Sequence, residues 1–243
     1  MPEPGLARYG IYYTPAPEHP LTVAAREWLG RDAFTGGSHL PPSGHAVAAD
    51  SIRVALTTEP GRYGFHATLK APFRLREECS VEELERTLRG FVTIWPACPI
   101  GPLKIDLLGG FFALVPVSPI PVLRGFASHI VRDFDHFRAS MNQAELQRRL
   151  RSPLDESETT YLVQWGYPYV FDRFRFHMTL TDPVPIEQRA KIQNELEPIF
   201  HPLLTEDFSV DALSLFVQED AGANFVVRSQ FALGSRTLIR KVM

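Results

Sequence analysis

The stretch RYGFHATLKAPF, at residues 62–73, has a close copy in the same chain, FRFHMTLTDPV, at residues 174–184. Both contain the pattern Phe-His-x-Thr-Leu, in which His66 and His177 occupy equivalent positions. Each stretch has the aromatic and apolar residues of a β-strand, interrupted by a histidine and by a threonine two positions later. A motif that occurs twice in 243 residues indicates two related halves, and we expect both copies to face one shared site.

Each motif strand has an apolar back and a polar front, because successive side chains of a strand point to opposite faces. The two strands are predicted near residues 63–70 and 173–181. Their polar fronts consist of Gly64, His66, Thr68 and Lys70 in the first strand and of Arg175, His177, Thr179 and Thr181 in the second. A single His-x-Thr on an exposed strand is commonplace, whereas two copies in matching context favour a functional pair.

Both motif strands are followed by the same elements in the same order. After the first, Ser80 and Glu83 have the spacing of a capping box that opens a helix, and two glycines at residues 109–110 join two apolar runs as a hairpin. After the second, a helical pattern at residues 185–199 precedes two strands around a turn at residues 220–224. The chain therefore contains a duplicated strand, helix and hairpin unit.

The sequence predicts an α+β fold formed by one bilobal domain over residues 1–243. We expect two antiparallel-rich sheets with outer helices, and a central cleft that carries one His-x-Thr motif from each lobe. Pro198 is expected to end the helix of the second half. Residues 31–50, rich in Gly, Pro, Ser and His, are expected to form a long loop, and a loop of that length is a candidate cover for the site.

The composition narrows the function classes. Hydrophobic residues make up 44% of the chain and charged residues 22%, as in ordinary globular proteins. The net charge of −3 argues against a protein that coats nucleic acid, although Arg148, Arg149 and Arg151 form either a basic patch or a solvated helix end. The two cysteines fit neither a disulfide framework nor a metal site. Neither a signal-peptide pattern nor a membrane-spanning run is recognised, so a cytoplasmic protein with no membrane partner is predicted.

These features resemble the two-histidine (2H) phosphoesterase superfamily, which is defined by two His-x-Thr/Ser motifs in the halves of a bilobal α+β fold. Its members include RNA ligase-like and tRNA-splicing cyclic phosphodiesterases. The stretches RYGFHATLKAPF, GGFFALVP, GYPYV and FRFHMTLT look more closely like a branch encoded beside phosphonate-utilisation genes. The resemblance covers nearly the whole chain. It implies a hydrolase of cyclic phosphodiesters with no metal or other cofactor and no obligate protein partner.

The resemblance also implies roles for the four motif residues. His66 and His177 would act as general acid and general base, which suits imidazole because its pKa lies near neutrality. Thr68 and Thr179 would donate hydrogen bonds to the non-bridging phosphate oxygens. Which histidine is the acid and which is the base stays open, because the duplication makes the two motifs nearly equivalent.

Further substrate-binding candidates follow from the predicted strand faces rather than from the resemblance. Lys70 and Arg175 share the polar fronts and are candidates to bind an anionic phosphate, or else are surface charges. Thr181 lies on the same predicted front. Tyr13, on the strand near the N-terminus, is a candidate to line the cleft or to pack in the core. The segment GYPYV at residues 166–170 is a candidate wall of the pocket or a structural turn.

Other interpretations of the motif pair remain open. His66 and His177 are candidate zinc ligands, although a catalytic zinc normally has three protein ligands and no third ligand stands at a usual spacing. The cleft also fits a non-catalytic protein that binds a phosphorylated ligand. Within the enzyme interpretation, a small sugar cyclic phosphate linked to phosphonate metabolism is favoured as the partner. An RNA terminus with a 2′,3′-cyclic phosphate is the alternative, disfavoured by the missing basic excess.

Overall fold

The computed structural model describes residues 7–38 and 47–234, and this part of the chain confirms the α+β class. The strands are β1 (Arg8–Tyr13), β2 (Ala67–Phe73), β3 (Cys98–Gly101), β4 (Leu103–Leu108), β5 (Phe111–Pro116), β6 (Met178–Thr179), β7 (Phe208–Val210), β8 (Ala212–Gln218) and β9 (Val226–Ala232). The α-helices are α1 (Pro20–Leu29), α2 (Val47–Leu56), α3 (Thr58–Tyr63), α4 (Val81–Ile94), α5 (Pro121–Asp133), α6 (Gln143–Arg149), α7 (Glu156–Trp165) and α8 (Arg189–Phe200).

Seven of these strands form one antiparallel sheet in the order β4-β5-β6-β2-β1-β8-β9, and β3 pairs with β7 in a separate two-stranded sheet. The motif strands β2 and β6 are neighbours through Ala67 and Met178. The hairpin that follows the first motif pairs with β6, whereas the hairpin that follows the second motif pairs with β1. Each half therefore supplies its hairpin to the other half. The two expected sheets are thus joined into one continuous sheet, and the motifs lie at its centre.

The local signals in the sequence form the expected structures. At the start of α4, the Glu83 amide donates to the Ser80 hydroxyl at 3.2 Å and the Ser80 amide donates to the Glu83 carboxylate at 3.0 Å, which completes the capping box. Gly109 and Gly110 have φ values of 56° and 115°. A two-residue hairpin turn of this kind requires positive φ, which glycine adopts without steric strain.

Several element boundaries differ from the predicted ones. The second motif strand is reduced to β6, two residues long, and residues 171–173 before it form a short 3₁₀ helix. Pro198 lies inside α8 rather than at its end, because a proline near a helix C-terminus removes only one late hydrogen bond. Of the predicted 31–50 loop, residues 39–46 lie outside the described residues, and the last four residues already belong to α2.

The apolar back of the motif strands is buried as predicted except at Ala71, its last member, which is half-buried. The buried residues are Phe65, Ala67, Leu69, Phe176, Met178 and Leu180. Complete burial of a side chain such as Leu180 stabilises the fold by roughly 1.5–3 kcal/mol. The Trp28 indole of α1 donates a hydrogen bond to the Leu180 carbonyl at 2.8 Å, which fixes the chain just after the second motif. In the described residues, no helix has the length and apolar character needed to cross a membrane.

Candidate active site

The pairing of β2 with β6 brings the two motifs together. Because Ala67 is paired with Met178 in antiparallel register, His66 falls opposite Thr179 and Thr68 falls opposite His177. Thr68 and Thr179 lie within β2 and β6 and point away from the face that carries Ala67 and Met178. His66, just before β2, shares their face because its Nε2 contacts the Thr68 hydroxyl, and the charge of a protonated His177 reaches it. The structure therefore places the two His-x-Thr motifs side by side on one face of the sheet.

Both imidazoles are held by the same local hydrogen bond. The Nδ1 atom of His66 lies 2.8 Å from the Gly64 carbonyl oxygen, and the Nδ1 atom of His177 lies 2.8 Å from the Arg175 carbonyl oxygen. A carbonyl oxygen only accepts, so each Nδ1 must carry the proton and donate it. Each neutral imidazole is thereby left with an unprotonated Nε2, the atom that can take a proton from a reacting group.

The Gly64 carbonyl that orients His66 is fixed by a close backbone contact. Gly64 has a φ of 77°, and a Cβ at this position would come within 2.5 Å of the Ala33 Cβ. Any larger residue would therefore move the carbonyl away from the imidazole or displace the neighbouring segment. On the other side of the ring, the Thr68 hydroxyl lies 3.3 Å from Nε2 of His66 and donates to it when the imidazole is neutral.

Both histidines are half-buried, and their partial removal from water makes them hard to protonate. Removal from water lowers the pKa of His66 to about 4; the hydrogen bond to Gly64 opposes the shift, and the positive charge of a protonated His177 adds to it. The pKa of His177 is also lowered, first by burial and then by the charge of Arg175. Both imidazoles are therefore neutral at pH 7 in the free protein. The effect of His177 on the pKa of His66 is consistent with the two rings lying close together.

Aromatic rings pack around the imidazoles. The Tyr12 ring stacks on His66 with centroids 4.0 Å apart, and Phe216 and Tyr63 follow at 5.8 and 6.0 Å. Phe111 lies 5.8 Å from His177. These rings replace water beside the imidazoles, which accounts for the lowered pKa values.

Tyr12 was missed by the sequence analysis, which selected Tyr13 instead. Tyr12 is the cross-strand partner of Thr68 and therefore lies on the motif face. Its ring folds back over Gly10, where a Cβ would lie 2.5 Å from the tyrosine Cζ. A glycine two positions before an aromatic residue, on the same strand face, is the signal that could have identified it. Tyr13 points to the other side, where its hydroxyl donates to the Ser209 carbonyl at 3.1 Å and only 2% of its side chain is exposed.

The predicted phosphate-binding role of Lys70 is wrong. Its ammonium group donates to the Val131 carbonyl at 3.0 Å and to the Asp135 carboxylate at 2.9 Å, with 4% of the residue exposed. The cause is a β-bulge: Tyr12 pairs with Thr68, but the preceding residue pairs with Lys70 and skips one position of β2. A bulge reverses the alternation beyond it, so Lys70 points into the core. Burial lowers the pKa of Lys70 to about 8 despite the opposing effect of Asp135.

The prediction that Thr181 binds substrate is also wrong. Its hydroxyl accepts a hydrogen bond from the Phe112 amide at 2.9 Å, and 1% of the residue is exposed. The amides of Leu180 and Thr181 both donate to the Phe112 carbonyl, so regular strand pairing has ended here. Period-two alternation applies only within a strand, and β6 ends at Thr179.

Arg175 is exposed and lies two residues before His177. It lines a cavity of about 370 Å³ together with Lys104, Asp106 and Arg124. Lys104 and Asp106 form an ion pair at 2.9 Å, the two arginines add further cations, and none of the four motif residues lines this cavity. Within residues 7–38 and 47–234, no three His, Cys, Asp or Glu side chains are grouped so that they could hold a metal ion.

Comparison with known proteins relates most of the chain to one protein family. Residues 68–226 match the model of "Protein of unknown function (DUF1045)". The chain is 34% identical over 232 residues to the "Ribose 1,5-bisphosphate phosphokinase PhnN" of Janthinobacterium sp. (strain Marseille), a match covering 91% of this chain and 49% of that protein. The protein of the same name from Laribacter hongkongensis (strain HLHK9) is 34% identical over 218 residues, covering 90% and 50%. The chain thus spans about half the length of these curated relatives.

Solved structures of similar shape include E. coli LigT complexed with phosphate, at 14% sequence identity and a TM-score of 0.41, covering 95% of this chain and 99% of that one. E. coli LigT complexed with 3′-AMP has 14% identity and a TM-score of 0.40 with the same coverage. A structure described as a phosphoesterase has 15% identity and a TM-score of 0.40, again covering 95% and 99%.

Proposed function

We propose a function for this chain from the premise that it belongs to the DUF1045 family, proteins of unknown function, and carries the paired motif of the two-histidine phosphoesterases. The function is a phosphodiesterase that opens a cyclic phosphodiester by general acid–base catalysis, with no metal ion. One observation supports it above the others: the register of Ala67 with Met178 sets both motifs side by side on one face. Each histidine there donates its Nδ1 proton to a backbone carbonyl, which leaves Nε2 unprotonated.

The chemistry needs one imidazole that accepts a proton and one that donates a proton. Water attacks phosphorus while its proton passes to the neutral imidazole, so a new P–O bond forms as the ring P–O bond breaks. The protonated imidazole gives its proton to the departing alkoxide oxygen. The product is a ring-opened phosphomonoester, and the two histidines exchange protonation states and reset through solvent.

We assign the base to His66 and the acid to His177. The two form a coupled pair, and the first proton taken up by the pair favours the site whose pKa is lowered less. The pKa of His66 falls to about 4, with a protonated His177 contributing to the shift. The more exposed His177 therefore carries the proton, and an anionic substrate raises its pKa on binding.

The threonines supply hydrogen bonds to phosphate without a change in protonation. The Thr68 hydroxyl, now 3.3 Å from Nε2 of His66, can rotate toward a non-bridging oxygen when substrate displaces this contact. Thr179 occupies the equivalent place in the second motif. Donors aimed at the oxygens that gain charge stabilise the transition state more than the ground state, and exposed Arg175 adds a cation beside them.

The substrate we favour is a small sugar cyclic phosphate linked to phosphonate metabolism. Two observations support this choice over an RNA terminus. The curated relatives, of which this chain matches about half, are named as kinases of ribose 1,5-bisphosphate, a small sugar phosphate. In addition, the chain has a net charge of −3, whereas a protein that binds along an RNA strand usually has an excess of basic residues.

The test is a panel of cyclic phosphates followed by ³¹P NMR in the presence and absence of a strong chelator. The panel contains ribose 1,2-cyclic phosphate, nucleoside 2′,3′-cyclic phosphates and a short RNA ending in a 2′,3′-cyclic phosphate. We expect fastest ring opening of the sugar cyclic phosphate, unchanged by chelator. Faster ring opening of the RNA would mean that an RNA terminus, not a sugar cyclic phosphate, is the substrate. Binding of these compounds without turnover of any of them would mean that the protein is a binding protein and not an enzyme.

A further inference from the structure

Five arginines line two further cavities, one of which is also lined by Tyr63, whose ring lies 6.0 Å from the His66 ring. They are Arg8 of β1, Arg62 of α3, Arg74 after β2, and Arg148 and Arg149 of α6, and we call them the arginine basin. They line two cavities of about 290 and 600 Å³ that share Arg8. Glu145 is the one acidic side chain that borders these cavities in the described part of the chain. The basin therefore has a large excess of positive charge inside a protein whose net charge is −3.

Several basin arginines are held in place by contacts that leave other N–H groups available. Glu145 accepts from Arg74 at 3.1 Å and from Arg149 at 3.3 Å, and Arg149 also donates to the Gly166 carbonyl at 2.8 Å. Arg8 is fixed by the Gln218 side-chain oxygen at 2.8 Å. A guanidinium has five donors in a fixed fork, so these contacts leave donors free to bind an anion.

Arg148 is exposed, and its guanidinium makes no hydrogen bond or ion pair to any described residue, although it lines the 600 Å³ cavity. A solvated helix end explains an exposed arginine of this kind by itself. It does not explain why four further arginines, from three other elements as well as α6, converge on the same cavities.

A buried hydroxyl without a partner lies beside the basin. The Tyr12 side chain is completely buried, and its hydroxyl finds no hydrogen-bond partner among the described residues. The pKa of Tyr12 is held well above its usual value by burial first, then by Tyr63 and Tyr167, with Arg8 opposing. All three of these neighbours line the 290 Å³ cavity. An unsatisfied buried hydroxyl costs free energy, and the three neighbours named here place it next to the basin.

We propose that the arginine basin binds a second phosphoryl group of the substrate, so that the natural substrate is a sugar cyclic phosphate that also carries a phosphomonoester. Tyr63 connects the two subsites, because its ring lies 6.0 Å from the His66 ring and its side chain lines the 290 Å³ cavity of the basin. A phosphomonoester dianion suits several guanidinium groups better than the single charge of an RNA diester does. This inference rests on the proposed function, whose cyclic phosphate occupies the histidine pair.

The kinetic test compares ring opening of adenosine 2′,3′-cyclic phosphate with ring opening of the same compound phosphorylated at the 5′-oxygen. We expect kcat/KM to be at least roughly tenfold higher for the 5′-phosphorylated compound, as for one or two charge-assisted hydrogen bonds. Arg148→Ala should reduce this ratio by roughly tenfold. Arg86→Ala, which removes an exposed arginine of α4 outside the basin, should leave the ratio unchanged. Equal kcat/KM for both compounds in the wild type would overturn the proposal. A higher kcat/KM for a dinucleotide that ends in a cyclic phosphate than for either compound would also overturn it.

A binding measurement separates this inference from the proposed function. Ribose 5-phosphate, which has no cyclic ester, is titrated into the wild type, Arg148→Ala and Arg86→Ala by calorimetry. Binding that weakens in Arg148→Ala alone supports the basin even if no cyclic phosphate is hydrolysed. Absence of binding to the wild type, or equal weakening by both variants, overturns the basin while leaving the catalytic proposal untouched.

Discussion

Acid should destabilise this protein through His66, and replacing that residue with asparagine should remove much of the effect. Asparagine cannot become charged, and its side-chain amide can still donate to the Gly64 carbonyl that now accepts from the imidazole. In the wild type, the unfolded chain protonates the histidine near its ordinary pKa, whereas the folded protein resists protonation because the ring is buried against Tyr12. The unfolded state therefore binds more protons in this pH range, and stability falls as pH falls.

The size of the effect follows from the pKa. A value lowered from 6.5 to about 4 corresponds to roughly 3 kcal/mol of unfolding free energy. This stability is fully present above pH 6.5 and is lost progressively as pH falls toward 4. Below the folded-state pKa the loss is complete, because both states are then protonated.

The assay is urea unfolding followed by tryptophan fluorescence, at pH 7.5 and at pH 4, for the wild type and His66→Asn. Other groups also titrate in this range, so the informative quantity is the difference between the two proteins. The wild type should lose roughly 3 kcal/mol more than the variant between the two pH values. His201→Asn is the matched control, because that side chain is 74% exposed at the end of α8, and it should lose as much as the wild type. Equal losses of unfolding free energy for the wild type and His66→Asn would refute the conclusion that the folded protein holds His66 neutral.

Three further outcomes follow from the site. Lys70→Met should lower the unfolding free energy by roughly 1–3 kcal/mol, because the Val131 carbonyl loses its donor, and should leave turnover at the wild-type level. Arg175→Met should instead raise KM in initial-rate assays. A raised KM for Lys70→Met with an unchanged KM for Arg175→Met would show that Lys70 binds phosphate after all. Because burial lowers the pKa of both motif histidines, the bell-shaped profile of kcat/KM against pH should be centred below about 6.5, and a profile that rises steadily to high pH would contradict this. With a p-nitrophenyl phosphodiester, whose leaving group needs no proton, His177→Ala should lose much less activity than His66→Ala; equal losses would contradict the assignment of acid and base.

The features that the sequence predicted correctly depend on local patterns. The capping box at Ser80 and Glu83 and the glycine pair of the first hairpin each act within a few residues, and both form as expected. The duplicated order of elements likewise identified the α+β class. Side-by-side placement of His66 and His177 was expected from the repeat itself, since equivalent positions in two facing halves meet near the axis that relates them.

The features that the sequence did not predict depend on contacts between distant segments. Nothing in the run from Thr68 to Lys70 marks the bulge, because the bulge arises from pairing with β1. The same pairing decides that Tyr12 rather than Tyr13 faces the site. The exchange of hairpins between the halves is set by packing of the whole sheet. The same sequence pattern is therefore compatible with two lobes that have separate sheets and with a single continuous sheet.

The basic run at the end of α6 was ambiguous for a similar reason. Arg148 and Arg149 form a charge cluster only together with Arg8 of β1 and Arg74, just after β2, which are far away in sequence. Charge clusters of this kind form when the fold brings together residues that are isolated in the chain. Periodicity detects a charged helix face but not what lies opposite to it.

The most direct test of the two-histidine mechanism is the rate of ring opening of a cyclic phosphate by the wild type, His66→Ala, His177→Ala and the double variant, all in strong chelator. Each single variant should be slower by roughly 10²- to 10⁴-fold, as expected on loss of a general acid or base. The double variant should be little slower than the worse single variant, because the two groups act in one step. Near-normal turnover by either single variant, or wild-type activity that chelator abolishes and a divalent ion restores, would contradict the mechanism.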